Sequence, residues 1–171
     1  MRIRPYLISL SAVLSLAAAD TFAAPAAVTG PLKQINVISS SGARAMVDAC
    51  TEWATMNNVA LAMAVLDVGG NIVSSQAMEG YAPNSIDTAL LKAKNALRWR
   101  RPSSETAGIV RRGENLAPTY IMGDFPQPGA MPIVIDGAVV GAMGVSSGDG
   151  EKCAQYAIDK VFKGRTAAAG R

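Results

Sequence analysis

Two tight chain reversals constrain this sequence more than any other feature. Between Ala64 and Ser75 the segment AVLDVGGNIVSS joins two apolar runs across Asp67-Val68-Gly69-Gly70-Asn71. Gly69 and Gly70 offer the positive-φ positions that a tight hairpin wants. Farther on, MPIVIDGAVVGAMGVSSG sets Asp136-Gly137 between β-branched runs, a strong two-residue turn signal. VALAMAVLD is a continuous apolar run and reads as a buried strand, whereas NIVSSQAM alternates and should pair with it. Gly141 and Gly144 interrupt the last strand, where glycine marks a bulge or the close approach of something to the backbone. Two hairpins give four strands and a mainly antiparallel sheet.

Helical segments surround these hairpins. In SSSGARAMVDACTEWATMNN the apolar residues Ala43, Met46, Val47, Cys50, Trp53 and Ala54 recur at helical spacing. A serine among Ser39–Ser41 can cap its start. APNSIDTALLKAKNALRWR is the clearest helix, with Asn84 or Ser85 as cap and Ile86, Ala89, Leu90, Ala93, Ala96 and Leu97 along one face. Lys92, Lys94 and Arg98 load its C-terminal half, where the helix dipole favours cations, and Pro102 stops it. SETAGIVRRGENL reads as a shorter helix, APTYIMGDFPQPGAM as a loop, and DGEKCAQYAIDKVFKG as a closing amphipathic helix. The predicted architecture is α/β in the α+β sense: a single layered domain, its sheet built from two hairpins and its helices packed on that sheet.

The start of the chain does not read as part of that domain. Arg2 and Arg4 precede an apolar stretch from Tyr6 to Ala19, and small residues follow. This is the pattern of a secretory signal, too short for a comfortable membrane span and without a lipobox cysteine, so no stable membrane anchor is expected. The expected division is a signal over 1–23, a linker over 24–37, the domain over 38–166 and a tail over 167–171. The expected location is the periplasm, with secretion as the alternative. Cys50 and Cys153 would meet an oxidising compartment there. Each lies in a predicted helix, and they form a disulfide if those helices are neighbours, or two buried thiols if they are not.

Composition removes several kinds of chemistry. The chain holds no histidine, which excludes Ser-His-Asp and Cys-His catalysis and every histidine metal site. Sixteen basic against 13 acidic residues, with no basic run, give no basis for nucleic-acid binding. Among the carboxylates, Asp67 sits in the first turn and is expected to cap it; Glu79 follows the second strand. Either could serve as an acid or base in an alternative enzymatic reading, with Lys92 or Arg98 holding a substrate carboxylate. Soft and aromatic side chains, among them Met78, Met122, Tyr81, Tyr120 and Phe125, could line an apolar pocket under the Pro-rich loop.

VLDVGGNIVSSQAMEGYAPNSIDTALLKAKNALRWRRPS, followed by PGAMPIVIDGAVVGAMGVSSGDGEKCA, resembles the GlcG/HbpS-type haem-binding family, which includes the C-terminal domain of PduO-type proteins. The matching positions include Asp67, Gly69, Gly70, Met78, Glu79, Ser85, Lys92, Arg101, Pro102, Asp136, Gly137, Gly141 and Gly144. The resemblance implies an α/β/α layered domain, a homo-oligomer, and haem or iron as ligand. It suggests a periplasmic small-molecule-binding protein with an apolar cleft between the first hairpin and the Ser85–Arg98 helix. Met78, Glu79, Ser85, Lys92, Arg98, Tyr120 and Met122 are the candidate ligand-binding residues. Lys92 and Arg98 would meet the haem propionates, and Met78, Tyr120 or Met122 would supply an axial contact in place of imidazole. Two alternatives stand beside this: an enzyme of small catabolic metabolites, such as imines, using Asp67 or Glu79, and a structural or accessory oligomeric subunit.

Overall fold

The computed structural model describes residues 30–31, 33–163 and 165; the predicted signal segment and the tail lie outside them. Among the described residues nine elements follow one another: α1 (Ser40–Met56), β1 (Ala62–Asp67), β2 (Ile72–Ala77), α2 (Ser85–Trp99), α3 (Ser103–Arg111), α4 (Ala117–Tyr120), β3 (Ala130–Ile135), β4 (Ala138–Val145) and α5 (Gly150–Val161). The strands form one sheet in the order β2-β1-β4-β3, and every neighbouring pair is antiparallel. The expected single α+β domain with an antiparallel sheet is therefore the fold.

Both predicted turns close hairpins, by different geometries. Asp136 (φ 50°) and Gly137 (φ 78°) form a two-residue turn with both centres left-handed. In the first turn only Gly70 has positive φ, at 84°. Gly70 N donates to Asp67 O and Asp67 N to Asn71 O, each at 3.0 Å, so one tight turn precedes a left-handed glycine.

The central strands carry side chains into two cores. Met63, Val65, Met143 and Val145 face one side, where they pack with Met46, Val47 and Cys50 of α1 and Cys153, Ala154 and Ile158 of α5. Leu66, Ala130 and Ala142 face the other, against Ala93, Ala96, Leu90 and Leu97 of α2. Helices on both faces explain why β1 reads as an unbroken apolar run. β2, at the edge, is mostly exposed and alternates accordingly.

On the second face, α2 lies almost directly on the sheet. Ala89, Ala93 and Ala96 are all fully buried. A Cβ built on Gly144 would stand 2.0 Å from Ala89 O and 2.7 Å from Ala93 N. The glycine expected to admit something near the backbone admits the backbone of α2. Leu90 and Leu97 flank this contact, while the helix buries Lys92 and Asn95 instead of the expected Ile86. On the first face α1 and α5 are neighbours, and Cys50 is bonded to Cys153 across them with Cα atoms 5.1 Å apart. The segment expected as one loop after α3 contains a helical turn, α4, started by Pro118 near its N-terminus.

Candidate functional site

A cleft of about 510 Å³ opens where the first hairpin's turn faces the C-terminal half of α2. Val68, Gly69 and Gly70 form one wall; Lys94, Leu97 and Arg98 of α2, with Arg100 just beyond it, form another; Met122 and Gly123 lie at the third side. The volume is within the range of small-molecule clefts, roughly 300–1,000 Å³.

Local chemistry fixes each wall. Asp67 holds the turn: its Oδ1 accepts from Asn71 N at 2.9 Å and its Oδ2 from Asn71 Nδ2 at 3.0 Å. These bonds, first those from the Asn71 side chain, keep the Asp67 carboxyl below its usual range. At Gly70 the turn lies so near α2 that an added Cβ would stand 3.9 Å from Leu97 Cδ2. The far wall is tied by Asp124, which accepts from Asn95 Nδ2 at 2.5 Å and Trp99 Nε1 at 2.6 Å. Two carboxylate bonds thus fasten the Met122-bearing loop to α2. Arg100 ends the helix in a left-handed conformation at φ 52° and projects past it.

Lys94, Arg98 and Arg100 enter no ion pair among the described residues. Three uncompensated cations around an open cleft favour an anionic ligand, and Val68, Leu97 and Met122 add apolar surface.

The expected ligand residues divide between places. Arg98 and Met122 line the cleft, and Met122 is 96% exposed at its mouth. Tyr120, at the end of α4, is also exposed but is not part of the lining. Met78 and Glu79 lie past the opposite end of the hairpin, about 20 Å along the strands from the turn. There Met78 packs against the α1–α5 core and Glu79 is exposed. Ser85 is buried at the start of α2, its Oγ donating to Ala82 O at 2.5 Å. Asp67 and Glu79 therefore share no site. The sequence places Arg100 with Lys92, Arg98 and Arg101 in a cation cluster suited to an anion, and of these Arg98 and Arg100 line the cleft; Gly123, Leu97 and Lys94 are walls that the sequence reading passed over.

Lys92 also departs from the expected pairing with Arg98. Its side chain is 7% exposed and runs beneath the helix, Nζ donating to Val145 O at 3.4 Å. Nearby, Glu151 of α5 caps α3, whose own cap position holds Pro102 with no side-chain acceptor. Glu151 accepts from Ser104 N at 2.7 Å, from Ser103 and Ser104 hydroxyls at 3.2 and 2.7 Å, and from Gly129 N at 3.3 Å. Burial pushes the Lys92 amine below the ordinary lysine value, and the Glu151 charge offsets part of that shift. A folded value below the unfolded one means that the unfolded chain holds more protons in the interval between them. Stability contributed here is lowest below the folded value and rises with pH across that interval. Urea midpoints at neutral and alkaline pH should show wild type gaining on Lys92→Met as pH climbs towards the usual lysine range. An unchanged gap would contradict a buried charged amine.

Comparisons with known proteins follow the same outline. The family described as "Haem degrading protein HbpS-like" matches residues 38–161. Protein GlcG of Escherichia coli K12 is 31% identical over 110 residues, 64% of this chain and 81% of GlcG. A crystal structure of a double mutant of Streptomyces reticuli HbpS superposes with a TM-score of 0.70 at 31% identity, covering 81% of this chain and 97% of that one. A PduOC:heme complex shares the fold, with a TM-score of 0.64 at 23% identity over 71% of this chain and 93% of its own. The layered domain and the match across 38–161 lead to one conclusion: this chain belongs to the HbpS-like family.

Proposed function

We propose that this chain binds haem in the cleft between the first hairpin and α2, and that it does so in the periplasm. The observation that carries the reading is the arrangement of Lys94, Arg98 and Arg100 around a wall made of Gly69, Gly70 and Leu97. A flat apolar ring needs a wall without side chains, and two propionates need unpaired cations. The residues fit that group without imidazole: the thioether of Met122 is the one sulfur in the lining, and methionine is an established axial ligand of haem. Bound haem would supply an iron centre; the chain supplies the seat, the charge and the loop held by Asp124. Family membership supports the ligand class. The Arg-flanked signal pattern and the Cys50–Cys153 bond support an oxidising location.

Hemin added to the purified protein should shift the Soret band and saturate near one equivalent. Arg98→Glu should weaken binding about tenfold, the equivalent of about 1.4 kcal/mol. Met122→Ala should alter the spectrum more than the stoichiometry. Both side chains are exposed, so neither change should disturb folding. A spectrum identical to free hemin, or an Arg98→Glu variant that binds as tightly as wild type together with a Met122→Ala variant whose bound spectrum is unchanged, would remove the reading.

A further inference from the structure

A second groove, of about 610 Å³, lies on the α1–α5 side of the sheet, away from the haem cleft. Its floor is apolar: Trp53 of α1, Met131 of β3 and Tyr156 of α5 are half-buried against the larger core and border the opening. Its rim is acidic. Glu105 of α3 and Glu151 and Asp159 of α5 line it, with Lys152 as the cation among the lining residues. That lysine is already bonded to Asp149, at 2.8 Å. Three carboxylates against one ammonium leave the groove with an excess of two negative charges, the reverse of the cleft beside α2.

The carboxylates are not equally satisfied. Glu105 and Glu151 stand in the first turns of α3 and α5, where a helix dipole favours an anion. Asp159 stands in the last turn of α5, where the dipole disfavours one. Gln155 Nε2 donates to Asp159 Oδ1 at 2.8 Å, but among the described residues no cation pairs with it. The adjacent Lys160 is bonded to Glu52 instead and lies over the Tyr156 ring, 5.7 Å from its centre. Among the described residues no cation covers Trp53, although indole is the strongest aromatic acceptor of a cation.

We propose that this groove binds an organic cation with an apolar body, an alkyl- or arylammonium whose apolar part rests on Trp53 and Met131 and whose charge is set against Asp159 and Glu105. The walls select this class. A metal ion needs several carboxylates converging on one point, and among the described residues no such group of three exists. An anion meets the negative excess and is repelled. A second copy of the chain, docked across a twofold axis through this groove, would bring the same excess against it. An ammonium on a hydrocarbon frame meets both the aromatic floor and the acidic rim. The inference is independent of the ligand in the cleft beside α2.

Equilibrium dialysis of the purified protein against benzyltrimethylammonium tests it. Binding should saturate near one equivalent per chain, whereas benzyl alcohol, with the ring but no charge, and benzoate, with the opposite charge, should bind more weakly. Glu105→Gln/Asp159→Asn should weaken the cation about fivefold or more. Both side chains are exposed, so this variant should keep the wild-type circular dichroism spectrum. Trp53→Leu, which keeps an apolar residue but removes the ring, should weaken the cation by a similar factor. Absence of saturation at millimolar probe, benzoate or benzyl alcohol bound as tightly as the cation, or a Glu105→Gln/Asp159→Asn variant with wild-type affinity overturns the proposal.

Discussion

Reducing the Cys50–Cys153 bond should lower the stability of the domain by roughly 4 kcal/mol. The bond joins residues 103 positions apart, and so closes almost the whole domain into one loop. Cross-linking over that length removes much of the freedom of the unfolded chain, and in the chain-entropy model a loop of about 100 residues is worth about 4.7 kcal/mol. For a domain of this size the loss should lower the melting temperature by roughly 10–20 °C. Cys50 and Cys153 are both fully buried, so the bond also clamps α1 to α5 at the centre of the larger core. Thermal melts with and without reductant should differ by that amount, whereas Cys50→Ala/Cys153→Ala should melt low in both. A melting temperature indifferent to reductant, together with two titratable thiols in the native protein, would contradict the bond.

Gly144→Ala should cost about 3 kcal/mol or more, although it adds one methyl group. The methyl would meet Ala89 O at 2.0 Å, Ala93 N at 2.7 Å and Ala93 Cβ at 2.9 Å. Two of these neighbours are helix backbone, which cannot rotate aside, so α2 must lift from β4. That helix carries Leu97 and Arg98 into the cleft, so weaker ligand binding should accompany the lost stability. Gly148→Ala is the control: its added Cβ meets nothing within 4 Å, and its stability should stay within about 0.5 kcal/mol of wild type. Chemical denaturation of the two variants side by side checks the contrast. An equal, small loss in both would mean that α2 does not lie on the glycine.

The hairpins and main helices were legible because their signals are local. Asp136-Gly137 encodes a left-handed pair in two letters, and the Ala43–Ala54 spacing encodes a face of α1. Gly144 announced a close approach but not what approaches, because the partner is 51 residues away in α2. The helical face was read from hydrophobicity alone, which favours Ile86 over Lys92. Closeness to the sheet selects small residues instead, and it buries the lysine because Val145 O and Glu151 lie at the end of its stem. The site was legible only in part. Met78 and Glu79 are near Ser85 in sequence, but a strand of six residues carries them to the end of the hairpin away from Gly70. The Asp124–Asn95–Trp99 tie and the Glu151 cap of α3 join segments far apart in the chain, and no local pattern announces them.

The most direct test of the haem seat is a crystal structure of the hemin-loaded protein with anomalous data at the iron edge. The account predicts one iron peak per chain between the Gly69–Gly70 turn and Leu97, within reach of Met122 and with the propionates turned towards Lys94, Arg98 or Arg100. An iron peak beside Met78 and Glu79, or on the α1–α5 face, would contradict it.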